Sequence, residues 1–98
     1  MHRRPVTVHP AAQTELQVAY DWYFERSPLA TIALLEEIDV AIESSSENAG
    51  AGPPYLEGTR RFVLRRFPYS VVYRESSSGI LVVAFAHGRR RPGYWRNR

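Results

Sequence analysis

The residues best suited to chemistry gather near the end of the chain, where His87, Arg89, Arg90, Arg91, Tyr94 and Trp95 fall between positions 87 and 95. Cutting a phosphodiester with its neighbouring 2′-hydroxyl needs a base for that hydroxyl, an acid for the leaving oxygen and cations on the phosphate. His87 and Tyr94 are the side chains there that could move a proton, because arginine stays protonated. Arg61, Arg65, Arg89 and Arg90 could supply the cations. Each group also has a quieter reading. His87 fits a strand-end histidine bonded to the backbone, the heavier of its two readings. Tyr94-Trp95 fits an aromatic pair packed over a sheet edge as well as it fits a stacking platform for a base or a partner side chain.

Arg60, Arg61, Arg65 and Arg66 form a second cationic cluster. All thirteen basic residues are arginine, a flat and permanently charged fork suited to phosphate and carboxylate. Arginine codons in a GC-rich genome account for most of the missing lysine, but not for where the arginines lie. Residues 1–57 carry three arginines against nine acids, a formal −6, and residues 58–98 carry ten against Glu75 alone, a formal +9. That asymmetry points to a polyanionic partner, either nucleic acid or an acidic protein segment. A strand with arginine on both faces also needs carboxylates for those it buries, from Glu36, Glu37, Glu43 or a partner.

Other chemistry is poorly served. There is no cysteine for a disulfide or a thiolate metal site, and His2, His9 and His87 lack paired ligand spacing. Gly50-Ala51-Gly52 precedes a proline rather than a helix, so it does not read as a phosphate loop. No metal and no cofactor is expected. The longest apolar run, Ile80 to Ala86, is too short to cross a bilayer, and Met1-His2-Arg3-Arg4-Pro5 leads into no apolar signal core. A cytoplasmic protein without membrane contact is expected.

The elements that must position these groups follow from periodicity. With 98 residues, 44% hydrophobic and 12% aromatic, a single domain over 1–98 is expected. Val6-Thr7-Val8 alternates as a short strand. Pro10 suits a helix start, after which Ala12, Leu16, Ala19, Tyr20 and Tyr23 share a face while Gln13, Glu15, Gln17 and Asp21 turn away. Ser27-Pro28 repeats the start signal, and Leu34, Leu35, Ile38, Ala41 and Ile42 form the second stripe. Ser44 to Gly50 reads as a fraying loop. The period then becomes two, with Arg61, Val63 and Arg65 on one side and Phe62, Leu64 and Arg66 on the other. Tyr69 to Glu75 continues as a strand, Ser76-Ser77-Ser78-Gly79 turns, and Ile80 to Ala86 reads as a central strand covered on both faces. The expected fold is α+β, in the order β-α-α-β-β-β. Two antiparallel helices pack on one face of a twisted, mainly antiparallel sheet, with the first strand beside the last.

That order resembles the RelE/ParE toxin superfamily. The resemblance is carried by His9-Pro10-Ala11-Ala12 with Glu15-Leu16, by Ala19 to Tyr23, and by Gly58 to Leu64. It continues through Phe67-Pro68-Tyr69-Ser70-Val71-Val72-Tyr73 and His87 to Trp95. It implies the toxin of a type II toxin–antitoxin pair, of the ParE-like or plasmid-stabilisation kind. Such a toxin inhibits growth, is silenced by a cognate antitoxin, and meets operator DNA only through that antitoxin. ParE-like members poison DNA gyrase, whereas RelE-like members cut messenger RNA in the ribosome. On the RelE pattern, Arg61 and Arg65 match basic strand positions, and Arg89 or Arg90 with Tyr94 match the tail. Val63 and Ser70, however, stand where the ribonuclease carries charge. The resemblance therefore favours gyrase poisoning, with a metal-independent endoribonuclease as the alternative and a detoxified, partner-binding relative as a third reading. His87, Arg89, Arg90 and Tyr94 would be catalytic only in the ribonuclease. Arg60, Arg61, Arg65, Arg66, Arg91 and Trp95 would bind nucleic acid or antitoxin.

Overall fold

The computed structural model describes residues 3–98. The chain runs β1 (Val6–Val8), α1 (Pro10–Arg26), α2 (Pro28–Glu47), a 3₁₀ turn (Leu56–Gly58), β2 (Arg60–Val63), β3 (Tyr69–Ser76) and β4 (Gly79–His87). The sheet order is β1-β4-β3-β2, with β1 parallel to β4 and the other pairs antiparallel. This is the α+β arrangement read from the sequence, with β1 beside β4 as expected. No helix among the described residues is long and apolar enough to cross a membrane.

Both helices begin where the sequence placed them. His9 Nδ1 accepts from the Ala11 N–H at 3.1 Å and Ser27 Oγ from the Ala30 N–H at 3.1 Å, each ahead of a proline that has no N–H to satisfy. Ala12, Ala19, Leu34, Ile38 and Ala41 bury against Val71, Tyr73, Ile80, Val82 and Phe85 of the sheet. Leu35 departs from the expected stripe and lies exposed. The far face carries a second cluster, in which Val72, Val83 and Ala84 pack under the buried Trp95, with Tyr55 and Tyr94 at its margin. Both faces of β4 are thus covered, one by helices and the other by the chain after His87.

Three boundaries differ from the periodic reading. The second helix does not fray at Ser44 but continues to Glu47, because its serines find partners. Ser45 Oγ bonds back to the Ile42 carbonyl at 2.8 Å, and Ser46 exchanges two hydrogen bonds with the backbone of Arg4. The strand expected to reach Arg66 ends at Val63, so Arg65 and Arg66 lie past its end and do not alternate across it. The third difference is a register shift between Val72 and Tyr73, which pair with Ala84 and Val82 and leave Val83 as the extra residue. It explains how Val82 and Phe85 both face the helices.

Loop 48–55 is tied down from within. Tyr73, 1% exposed, donates its hydroxyl to the Ala49 carbonyl and accepts from the Gly52 N–H, both at 2.9 Å. At the other end of the sheet, Gly79 has φ +148°, and a Cβ there would sit 2.3 Å from the Pro5 carbonyl oxygen that accepts the Ile80 N–H. Gly79→Ala should therefore combine backbone strain with a clash that parts β1 from β4. Chemical denaturation should register a loss of about 3 kcal/mol.

Candidate functional site

Beyond Val82, β4 has lost its parallel neighbour, because β1 ends at Val8 and the chain turns into α1. The backbone groups left open are met by side chains. Glu15 of α1 accepts from the Phe85 N–H at 3.1 Å, and Arg98 donates to the Val83 carbonyl at 3.1 Å. The two side chains also grip each other through two hydrogen bonds, of 2.9 and 3.0 Å, and Tyr94 donates its hydroxyl to Glu15 at 2.6 Å. Arg90 stands 3.8 Å from the same carboxylate, its guanidinium 3.8 Å above the Tyr94 ring.

Glu15 was expected to face away from the core; its side chain is only 15% exposed. Burial pushes its carboxyl up, but the hydrogen bonds from Arg98, Tyr94 and the Phe85 N–H outweigh that and hold it below the usual carboxylate range. Burial and the Glu15 bond raise the Tyr94 phenol well above its ordinary value, so it stays protonated. The Glu15 bond likewise raises Arg98. The sequence did carry a signal for Glu15: with Ala12 and Ala19 it follows the i, i+3, i+7 spacing of an inward stripe. Arg98 carried none beyond its charge.

On the far face of the sheet a small dent of about 80 Å³ brings together several residues singled out from the sequence. Arg61, Ser70 and His87 line it from the strands, and Arg90, Arg91 and Tyr94 from the tail. The Arg61 guanidinium lies 4.0 Å above the Tyr55 ring and has no carboxylate partner among the described residues. His87 Nδ1 accepts from the Arg89 N–H at 3.0 Å, and its ring meets Tyr69 edge to face. The backbone bond expected of His87 is present, made through Nδ1. Arg89 stands exposed beside the dent without lining it.

Trp95 lies beneath the dent, and the other candidates lie elsewhere. Trp95 is 2% exposed and holds the far-face core, so it cannot offer the ring surface expected of a binding residue. Arg60 folds back to donate to the Gly52 carbonyl at 2.8 Å. Arg65 and Arg66 sit past β2 beside α2, where Glu37 accepts from the Arg65 N–H at 2.7 Å and from Arg66 Nε at 3.0 Å. Burial raises the Glu37 carboxyl, but these donors prevail and lower it. Of the carboxylates expected to serve the arginines, Glu37 takes Arg66 and Glu43 takes Arg3. His9 is spent as a helix cap, and His2 lies outside the described residues.

Residues 6–92 match the family described as the ParE toxin of the type II toxin–antitoxin system parDE. No curated protein sequence matches the chain. Among solved structures it is similar to one titled "Chromosomal ParDE TA system from P. aeruginosa", at 23% identity and a TM-score of 0.73. That match covers 89% of this chain and 98% of the other, a likeness of fold.

Glu15 gives this region an acid-sensitive anchor. A carboxyl whose pKa is lower in the folded state stabilises fully above its ordinary value, here 4.5, and loses that contribution as pH falls through the folded value. Glu15→Gln should cost about 2 kcal/mol at neutral pH. The gap between variant and native chain should close progressively as denaturation is repeated from pH 5 downward. A gap that does not change with pH would place the stabilisation elsewhere.

Proposed function

Because the chain belongs to the ParE toxin family of type II toxin–antitoxin systems, we propose that it is the growth-inhibiting member of such a pair and poisons DNA gyrase without performing chemistry of its own. On this reading it works in the cytoplasm, is silenced by a co-encoded antitoxin, and reaches operator DNA only through that antitoxin. A stabilising role for a plasmid would follow from the same pairing.

The observation that carries the reading is the commitment of Tyr94, whose hydroxyl is held by Glu15. His87 accepts from the Arg89 N–H through Nδ1, which leaves Nε2 as its one nitrogen free to meet a substrate. A general acid or base must be within reach of the reacting atom. Around them stand the exposed Val63 and the neutral Ser70, where a ribonuclease of this superfamily would carry charge. Arg61 and Arg91, without carboxylate partners among the described residues, can hold an anion but cannot exchange a proton with it.

Two experiments test the two halves of this proposal. In bacteria induced to express the chain, Tyr94→Phe and His87→Ala should leave toxicity within a few-fold of native, with a DNA-damage response and no new transcript ends. A ribonuclease would lose about 10²–10⁴-fold with either change. For the partner, the antitoxin should cover Arg61 and Arg65. The double change to glutamate should weaken the complex by a large factor and alter its salt dependence, read by titration at two ionic strengths. Unchanged binding would move the antitoxin to another surface.

A further inference from the structure

β2 is the outer strand of the sheet, and its exposed edge is only partly sealed. Backbone N–H groups on a strand alternate in direction. The Arg61 N–H points outward to the Pro53 carbonyl at 3.1 Å, and the Leu64 N–H points inward to the Tyr69 carbonyl at 2.9 Å. The Arg65 N–H points outward again, to Glu37. Val63 therefore turns its N–H and C=O outward between two sealed positions, and neither has a partner among the described residues. Its side chain is 62% exposed.

The surroundings of this gap specify what would fill it. On the helix side a groove of about 370 Å³ runs between α2 and β2, with Val40 on its lip and Phe62 and Leu64 on its wall. Val40 is 65% exposed. On the opposite face the nearest charge is Arg61, unpaired and followed by Arg90 and Arg91 around the dent. The formal charges lining the groove already cancel, two acids (Glu36 and Glu37) against two arginines (Arg65 and Arg66), and Glu37 is committed to the chain past β2. A strand laid along this edge would present alternate residues to an apolar groove and to a cationic face.

We propose that the Val63 edge accepts an extended segment of a partner protein, added beside β2 as a fifth strand, with apolar residues toward Val40 and acidic residues toward Arg61. This rests on the reading above that the chain answers to a protein partner, and it adds the mode of docking. An unpaired edge N–H and C=O supply affinity in such an addition, and the alternating side chains supply selectivity.

The probe is a synthetic peptide of alternating valine and glutamate, titrated into ¹⁵N-labelled chain. Binding should shift the Val63 amide and slow its hydrogen exchange. Val63→Pro, which removes only an outward donor at a strand edge, should weaken binding by about tenfold. Val40→Glu, at an exposed position that the fold does not use, should weaken it similarly should the proline variant fail to fold. Binding that leaves the Val63 amide unprotected would overturn the proposal. So would no binding at all, or protection that appears without peptide and grows with protein concentration, which would give the edge to a second copy. The co-expressed antitoxin separates the two levels. A complex indifferent to both variants overturns the edge and leaves the partner reading standing. Absence of any complex overturns the partner reading, and the peptide still decides the edge.

Discussion

β4 outlasts β1, and the backbone it leaves uncovered must be satisfied inside the protein. Glu15 and Arg98 do this together, one accepting from the Phe85 N–H and the other donating to the Val83 carbonyl, while each neutralises the other. A half-buried carboxylate alone would be costly, as would an open strand edge. Joined, they convert two liabilities into a clamp holding α1, the central strand and the tail. Tyr94 and Arg90 take their positions from the same carboxylate. The placement of the tail residues that line the dent, Arg90 and Tyr94, depends on this anchor.

The arginines divide by what they touch. Arg3, Arg4, Arg66 and Arg98 are paired with carboxylates, and Arg60 with carbonyls. Arg61 and Arg90 lie on aromatic rings, which hold the guanidinium plane; Arg61 has no carboxylate partner among the described residues, while Arg90 also stands 3.8 Å from Glu15. The first group holds the chain together. The second is pre-oriented toward the far face, so a surface partner meets cations whose side-chain freedom is already reduced.

Much of the architecture was legible because single residues carried clear local signals. Pro10 and Ser27-Pro28 mark helix starts, Ser76 to Gly79 marks the hairpin, and the unbroken apolar run Ile80 to Ala86 identifies the doubly covered strand. The site was legible in part. Clustering brought His87, Arg90, Arg91, Tyr94 and Arg61 into view, and they do converge. Exposure was beyond the sequence: Trp95 and Arg91 sit in the same segment, one inside and one out. Periodicity also misled where polar side chains found long-range partners. Ser46 extends a helix by bonding Arg4, and Glu15 turns inward to meet Arg98, contacts that no local window contains.

Those long-range contacts have a bearing on how the protein is made. The helical hairpin and the β2-β3-β4 meander are each built from neighbouring segments, so each can begin to form as soon as it is synthesised. The β1-β4 pairing and the Glu15–Arg98 clamp span 74 and 83 positions. On a ribosome, residues near the end of the chain must clear the exit tunnel before the clamp can close. Until then Tyr94, Arg90 and the cover over Val83 lack their anchor, and the far face has only its strand residues in place. The anchored form of the tail thus arrives late, closed by the last contacts the chain can make.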